Sequence, residues 1–132
     1  MTYVEKQITL RGETIVLNNL RVMYWPREEA LIVSDLHIGK SAHFRKHGIP
    51  IPVNMQHNDL ERLSFIVGHY NPKKMIIVGD LFHAEINTDT ALFKLWRSEY
   101  SDFEIILIKG NHDRLKDSVY DSFDIDCCQQ EL

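Results

Sequence analysis

Three short polar clusters in this 132-residue chain combine side chains that could do chemistry together. They are Ser34-Asp35-Leu36-His37, Gly79-Asp80-Leu81-Phe82-His83 and Gly110-Asn111-His112-Asp113. Carboxylate, imidazole and amide oxygen, with no thiolate among them, make a hard-to-borderline ligand set suited to manganese, iron or zinc. Asp80 has two carboxylate oxygens and is able to bridge two ions. Asn111 offers a neutral oxygen, which adds no negative charge where an anionic substrate must arrive. A two-ion site of this kind lowers the pKa of a bridging water and clamps an oxyanion undergoing in-line displacement. His112 suits proton transfer instead. With Asp113 as an orienting partner, it can protonate a leaving alkoxide as general acid.

Such chemistry requires the clusters to meet, and the flanking sequence gives a reason why they do. Each cluster directly follows an apolar, β-rich run: Ala30–Val33, Met75–Val78 and Glu104–Ile108. The runs are nearly continuous rather than alternating, which predicts strands buried on both faces. Between the first two, Leu60, Leu63, Val67 and Tyr70 fall at helical spacing, and Asn71-Pro72 supplies a stop. Between the second and third, Leu92, Leu95, Trp96 and Tyr100 form an apolar face behind a Thr88 cap. Strand alternating with helix predicts right-handed crossovers and a mostly parallel sheet. The carboxyl ends of such strands converge on one edge, where ligands bind, so the clusters form one site. Asp35 and His37 share a side if the chain there is extended. Gly79 and Gly110 allow tight exits from their strands. Ahead of these elements, Arg11-Gly12-Glu13 separates two alternating runs as in a hairpin, and Leu20–Trp25 reads as a further strand. His43–Asn54 reads as a long irregular connection closed by Pro50 and Pro52. After Asp113, the residues Asp117, Asp121, Asp124 and Asp126 read as solvated turn positions in a short tail.

In this order, "DLH", "GDLFH" and "GNHD" resemble the calcineurin-like metallophosphoesterase superfamily, whose signature runs D-x-H, G-D-x-x-D, G-N-H-[DE]. Each motif alone is weak; the ordered set is specific. The resemblance spans roughly residues 30–114 and implies an α/β fold, the α/β/β/α sandwich, of which this chain is the N-terminal portion. It implies that Asp35 and His37 bind a first divalent ion, Asp80 bridges, and Asn111 binds a second. His112 then assists the leaving group, and Asp113 fills the acidic position behind it. Manganese is the expected metal, with iron or zinc as alternatives, and the implied reaction is phosphodiester hydrolysis by a hydroxide held between the two ions. His83 departs from the signature, which has Asp there. "GDLFH" is similar to the DNA-repair nuclease branch, and "LHIGKSAHFRKHGIPIP" resembles the bacterial ligase-associated DNA-damage-response endonucleases. That implies DNA as substrate and DNA-repair proteins as partners. The family's later G-H and G-H-x-H histidines have no counterpart after Asp113. The expected organisation is therefore leading strands over 1–29, a motif-bearing unit over 30–114 and a tail over 115–132. Apolar surface should be exposed where the rest of the fold would pack, with self-association as the consequence.

The remaining sequence bounds these expectations. With 44% hydrophobic and 26% charged residues, the composition is that of a soluble globular domain. A net charge of −4 provides no general field for nucleic acid, so any such contact needs a local patch. Lys40, His43, Arg45, Lys46 and His47 form a basic run able to meet phosphate, a solvated loop being the alternative. His83 either contacts substrate, orients a ligand or serves structure. Trp25 and Trp96 read as core, and His57 and His69 as ordinary helix residues. There is no signal-peptide h-region and no apolar run of membrane-spanning length. Cys127 and Cys128 are adjacent, a poor geometry for a disulfide, which points to reducing cytoplasm and no membrane association. Two rivals stand beside the nuclease: a phosphomonoesterase or nucleotide hydrolase on the same fold, and a metal-binding or partner-binding fragment without turnover.

Overall fold

The computed structural model describes residues 2–50, 55–83 and 86–128, and for 55–57 the backbone only. Seven strands lie in one mixed sheet in chain order: β1 Glu5–Leu10, β2 Glu13–Asn18, β3 Met23–Trp25, β4 Ala30–Ser34, β5 Lys74–Val78, β6 Glu104–Ile108 and β7 Ile125–Cys128. The first four form an antiparallel meander. Its opening hairpin turns on Arg11 and Gly12, whose φ angles of 50° and 79° suit a tight two-residue loop. From β4 onward every pairing is parallel. The crossovers are α1 Lys40–Lys46 with α2 Met55–Tyr70, then α3 Thr88–Glu99, then α4 Asp117–Asp121. Parallel strands added in one direction by right-handed crossovers place their helices on the same face.

Side-chain register bears this out. Leu31, Met75, Ile105 and Ile125 align across the four parallel strands, as do Val33, Ile77, Leu107 and Cys127. All but Cys127 are buried, and they share one core with Leu63, Ile66, Phe93, Trp96 and Tyr120 from the helices. The intervening residues face the other way. Ile32, Ile106 and Ile108 are only half-buried, and Val78 is 45% exposed. Near-continuous apolar strands predict two covered faces; among the described residues the helical face is the better covered, and on the other Ala30 and Ile76 are buried while Val78 stays open. Leu17, Val22, Met23, Ile32 and Val78 instead line an open apolar hollow, the apolar surface that the sequence reading expects.

Two segments differ from expectation. His43–Asn54 does not start as an irregular connection: Lys40–Lys46 is helical, because no breaker occurs before Gly48. Pro52 and Asn54 lie outside the described residues. The stretch after Asp113 is not a simple tail either. It forms α4 and then β7, the fourth parallel strand, which buries Ile125 and packs Cys127 against the core. Asp126 sits exposed between them, on the period of an edge strand. The α3 cap is Asn87 rather than Thr88, with Thr90 completing a reciprocal capping box. No helix among the described residues is long and apolar enough to cross a membrane.

Candidate metal centre

Ser34, Val78 and Ile108 are aligned ends of β4, β5 and β6, so the three clusters leave the sheet side by side. The parallel pairing continues past the strands into the loops. Asp35 N–H donates to the Gly79 carbonyl (3.2 Å), His37 N–H to Asp80 (3.0 Å), Ile38 N–H to Leu81 (2.7 Å), and His83 N–H back to Ile38 (2.8 Å). Ile38, Leu81 and Phe82 are at most 1% exposed, so apolar burial anchors both loops beneath the site. Gly79 N–H donates to the Ile108 carbonyl at 2.9 Å, which ties in the third strand end.

On this frame Asp35, His37 and Asp80 each offer a ligand atom, all within 4.8 Å of one another. Their backbones are left-handed, with φ of 54°, 46° and 55°. Non-glycine residues adopt that conformation at a cost of about 1–2 kcal/mol each, and such strain concentrates at functional sites. Asp35 and His37 thus reach one point through left-handed turns, not through the extended alternation that the sequence predicts. Asp35 Oδ1 lies 3.9 Å from His37 Nε2, and both side chains open to solvent. Asp80 is different: its Oδ1 is buried and has no hydrogen-bond donor. A buried carboxylate oxygen without a partner is costly. The set of two carboxylates and an imidazole fits a divalent cation, which would satisfy that oxygen.

Asn111 and His112 are exposed on the loop after β6. The sequence reading pairs Asp113 with His112, but the structure gives this carboxylate another role. It is buried and accepts N–H bonds from Asp80 (2.7 Å), Leu81 (2.9 Å) and Gly110 (2.8 Å). Asp113 therefore clamps the Asp80 loop to the Asn111 loop. The glycines permit that approach. A Cβ on Gly110 would stand 3.2 Å from Gly79 Cα and 3.4 Å from Asp80 Oδ1. Gly110→Ala is accordingly expected to crowd the Gly79 backbone that carries the Asp80 loop and to weaken divalent-metal affinity by roughly tenfold, which isothermal titration calorimetry would measure.

The basic run is divided by its helix. His43 packs its ring 4.8 Å from His83 and 4.5 Å from His47, while Lys40 lies over Phe44. Arg45 turns instead toward Asp89, 3.5 Å away. Lys46 is exposed. Burial, then the positive neighbours His43, His37, Lys40 and His112, push the His83 pKa down. His83 is thus the point where both loops and α1 meet. Sequence reasoning missed Asn87 and Asp89. Asn87 donates from Nδ2 to the Gly39 carbonyl (2.8 Å), and Asp89 accepts from Ala42 N–H (2.7 Å). A cap near Thr88 was legible; its identity as Asn87 and the reach of Asn87 and Asp89 to α1 were not.

Comparison with known proteins adds to this geometry. Among solved structures, the chain is similar to the nuclease MPE of Pseudomonas putida, with 29% identity and a TM-score of 0.81. The match covers 95% of this chain and 60% of that one, so the chain spans about three fifths of the nuclease's length. No curated protein matches it with statistical significance. The family model for calcineurin-like phosphoesterases matches residues 30–131. That match begins at the first residue of β4, where the parallel half of the sheet begins, and it makes the chain a member of the calcineurin-like phosphoesterase family.

Proposed function

We propose that this chain carries the core of a metal-dependent phosphodiesterase acting on DNA. The observation that carries the reading is the buried, donor-free Asp80 Oδ1 grouped with Asp35 and His37. On this reading Asp35 and His37 hold one divalent ion, Asp80 is shared by two, and Asn111 serves the second, with manganese expected before iron or zinc. Ions bound there lower the pKa of water and offset charge on the phosphoryl oxygens.

The chain's own residues do the rest. Asp113 holds the Asp80 and Asn111 loops in register. Lys40, His43, Arg45, Lys46 and His83 are the substrate contacts on this reading. Lys40 and Lys46 carry the local positive charge that the net charge of −4 does not, whereas Arg45 is paired with Asp89 and His83 is held toward its neutral form. His112, exposed at the rim, hands its proton to the leaving oxygen. His112→Ala should therefore cost about 10²–10⁴ in kcat when the leaving group is a deoxyribose alkoxide. Its effect should be slight with p-nitrophenolate, which departs without protonation. An equal loss on both substrates would remove His112 from that role.

The nuclease neighbour supports a nucleic-acid substrate. The "GDLFH" and "LHIGKSAHFRKHGIPIP" resemblances support DNA in particular and DNA-repair proteins as partners, and the adjacent Cys127 and Cys128 support a reducing, cytoplasmic setting. Rates on an oligonucleotide and on p-nitrophenyl phosphate, compared in Mn²⁺, test the substrate class. A diester preference is expected, and a monoester preference would favour the phosphomonoesterase. Mn²⁺ binding without turnover would favour the non-catalytic fragment. The open apolar face is proposed to drive self-association, visible in light scattering as a mass that rises with concentration. A constant monomer mass would count against it.

A further inference from the structure

Helix α1 is only seven residues long and has no side-chain N-cap of its own. A helix of that length is marginal unless other elements fix it. Its seat comes from the first turn of α3. Asp89 is 2% exposed. One of its oxygens accepts the Ala42 N–H at 2.7 Å, and the other lies 3.5 Å from Arg45 Nη2. Asn87 Nδ2 grips the Gly39 carbonyl at 2.8 Å, just ahead of the helix. On its far side α1 presents His43 to His83, beside the metal centre. Among the described residues, Asp89 makes these contacts with α1 and not with the metal-centre side chains.

We propose that Asp89 is a positioning residue: it locks α1 as a fixed platform for the phosphates of a nucleic acid strand flanking the reacting one. This rests on the reading of α1 as substrate-facing. It separates from a plain charge effect by sign. Asp89→Asn removes one negative charge beside Arg45, so simple electrostatics would tighten binding to a polyanion. Loss of positioning weakens it.

The test uses the whole chain and a short fluorescein-labelled DNA strand, read by anisotropy without divalent ions, together with amide hydrogen exchange. Asn is isosteric with Asp but replaces its charge-assisted contacts to Ala42 and Arg45 with the weaker ones of a neutral amide. Asn87→Ser, which keeps an N-cap hydroxyl for α3 but loses the bond to Gly39, is the second variant. Both are expected to speed exchange in α1 and to weaken DNA binding by about fivefold. Mn²⁺ affinity and protection of β4–β6 should not change. Unchanged or tighter DNA binding overturns the proposal, and so does lost protection in β4–β6, which would make Asp89 a residue of the fold alone. If the unmodified chain binds no DNA, the nucleic-acid reading fails and this inference falls with it. Failure confined to the variants leaves that reading standing.

Discussion

An Asp80→Ala chain is expected to lose more than about a hundredfold in Mn²⁺ affinity, and with it the thermal stabilisation that Mn²⁺ confers. Residues that merely orient a ligand are worth about 10–100-fold in metal affinity, so a direct ligand shared between two ions should exceed that range. The structure also indicates what the substitution will not do. The Asp80 N–H is held by Asp113, not by its own side chain, so the loop keeps its place after truncation. Asp80 Oδ1 is buried with no hydrogen-bond donor, and deleting an unpaired buried acceptor removes a penalty rather than a bond. The metal-free melting temperature should therefore hold or rise. In the unmodified chain, Mn²⁺ at a hundredfold excess over its Kd adds about 2.7 kcal/mol of stability; in the variant it should add nothing measurable. A variant that still melts higher in Mn²⁺ would show that Asp80 is not the shared ligand.

The second large effect lies at the opposite end of the strands. Arg97→Lys should destabilise the fold by about 3–5 kcal/mol, a fall of roughly 10–20 °C in Tm. Arg97 is 4% exposed. Its guanidinium donates to the carbonyls of Phe103 (2.8 Å), Tyr100 (2.9 Å), Asp124 (2.9 Å) and Phe123 (3.3 Å). One planar group thereby joins the end of α3, the approach to β6 and the turn before β7. A lysine ammonium has neither the fork nor the reach to serve all of these acceptors, and each one left dry costs about 1–3 kcal/mol. Because these contacts sit at the amino ends of the strands, Mn²⁺ affinity per folded molecule should not change. Urea unfolding monitored by circular dichroism measures the loss, and a Tm within about 3 °C of the unmodified chain would contradict it.

The parts of the fold legible from sequence are those with local causes. Ala30–Val33, Met75–Val78 and Glu104–Ile108 are dense apolar runs, and β4, β5 and β6 fall on them. β7 was hidden because Ile125–Cys128 is a four-residue edge strand carrying an aspartate, which local patterning cannot tell from a polar turn. α1 was hidden because its seat depends on Asp89, 47 positions distant from Ala42. In the site, the order of the motifs exposed the residue types, and the structure groups Asp35, His37 and Asp80. Their left-handed backbones were not legible, since aspartate and histidine do not demand positive φ; the paired loops impose it. Nor was the clamping role of Asp113 legible. A carboxylate next to a histidine invites a catalytic pairing, and only the folded chain shows three backbone amides converging on it.

On the proposed reading, Asp35, His37 and Asp80 hold ions that serve phosphodiester hydrolysis. The most direct test of that reading is turnover of bis-(p-nitrophenyl) phosphate by the chain with and without Mn²⁺, alongside Asp80→Ala. The expected result is Mn²⁺-dependent release of p-nitrophenol by the unmodified chain and none above background by the variant. Hydrolysis that survives the substitution, or a folded, Mn²⁺-loaded chain that releases nothing, would contradict it.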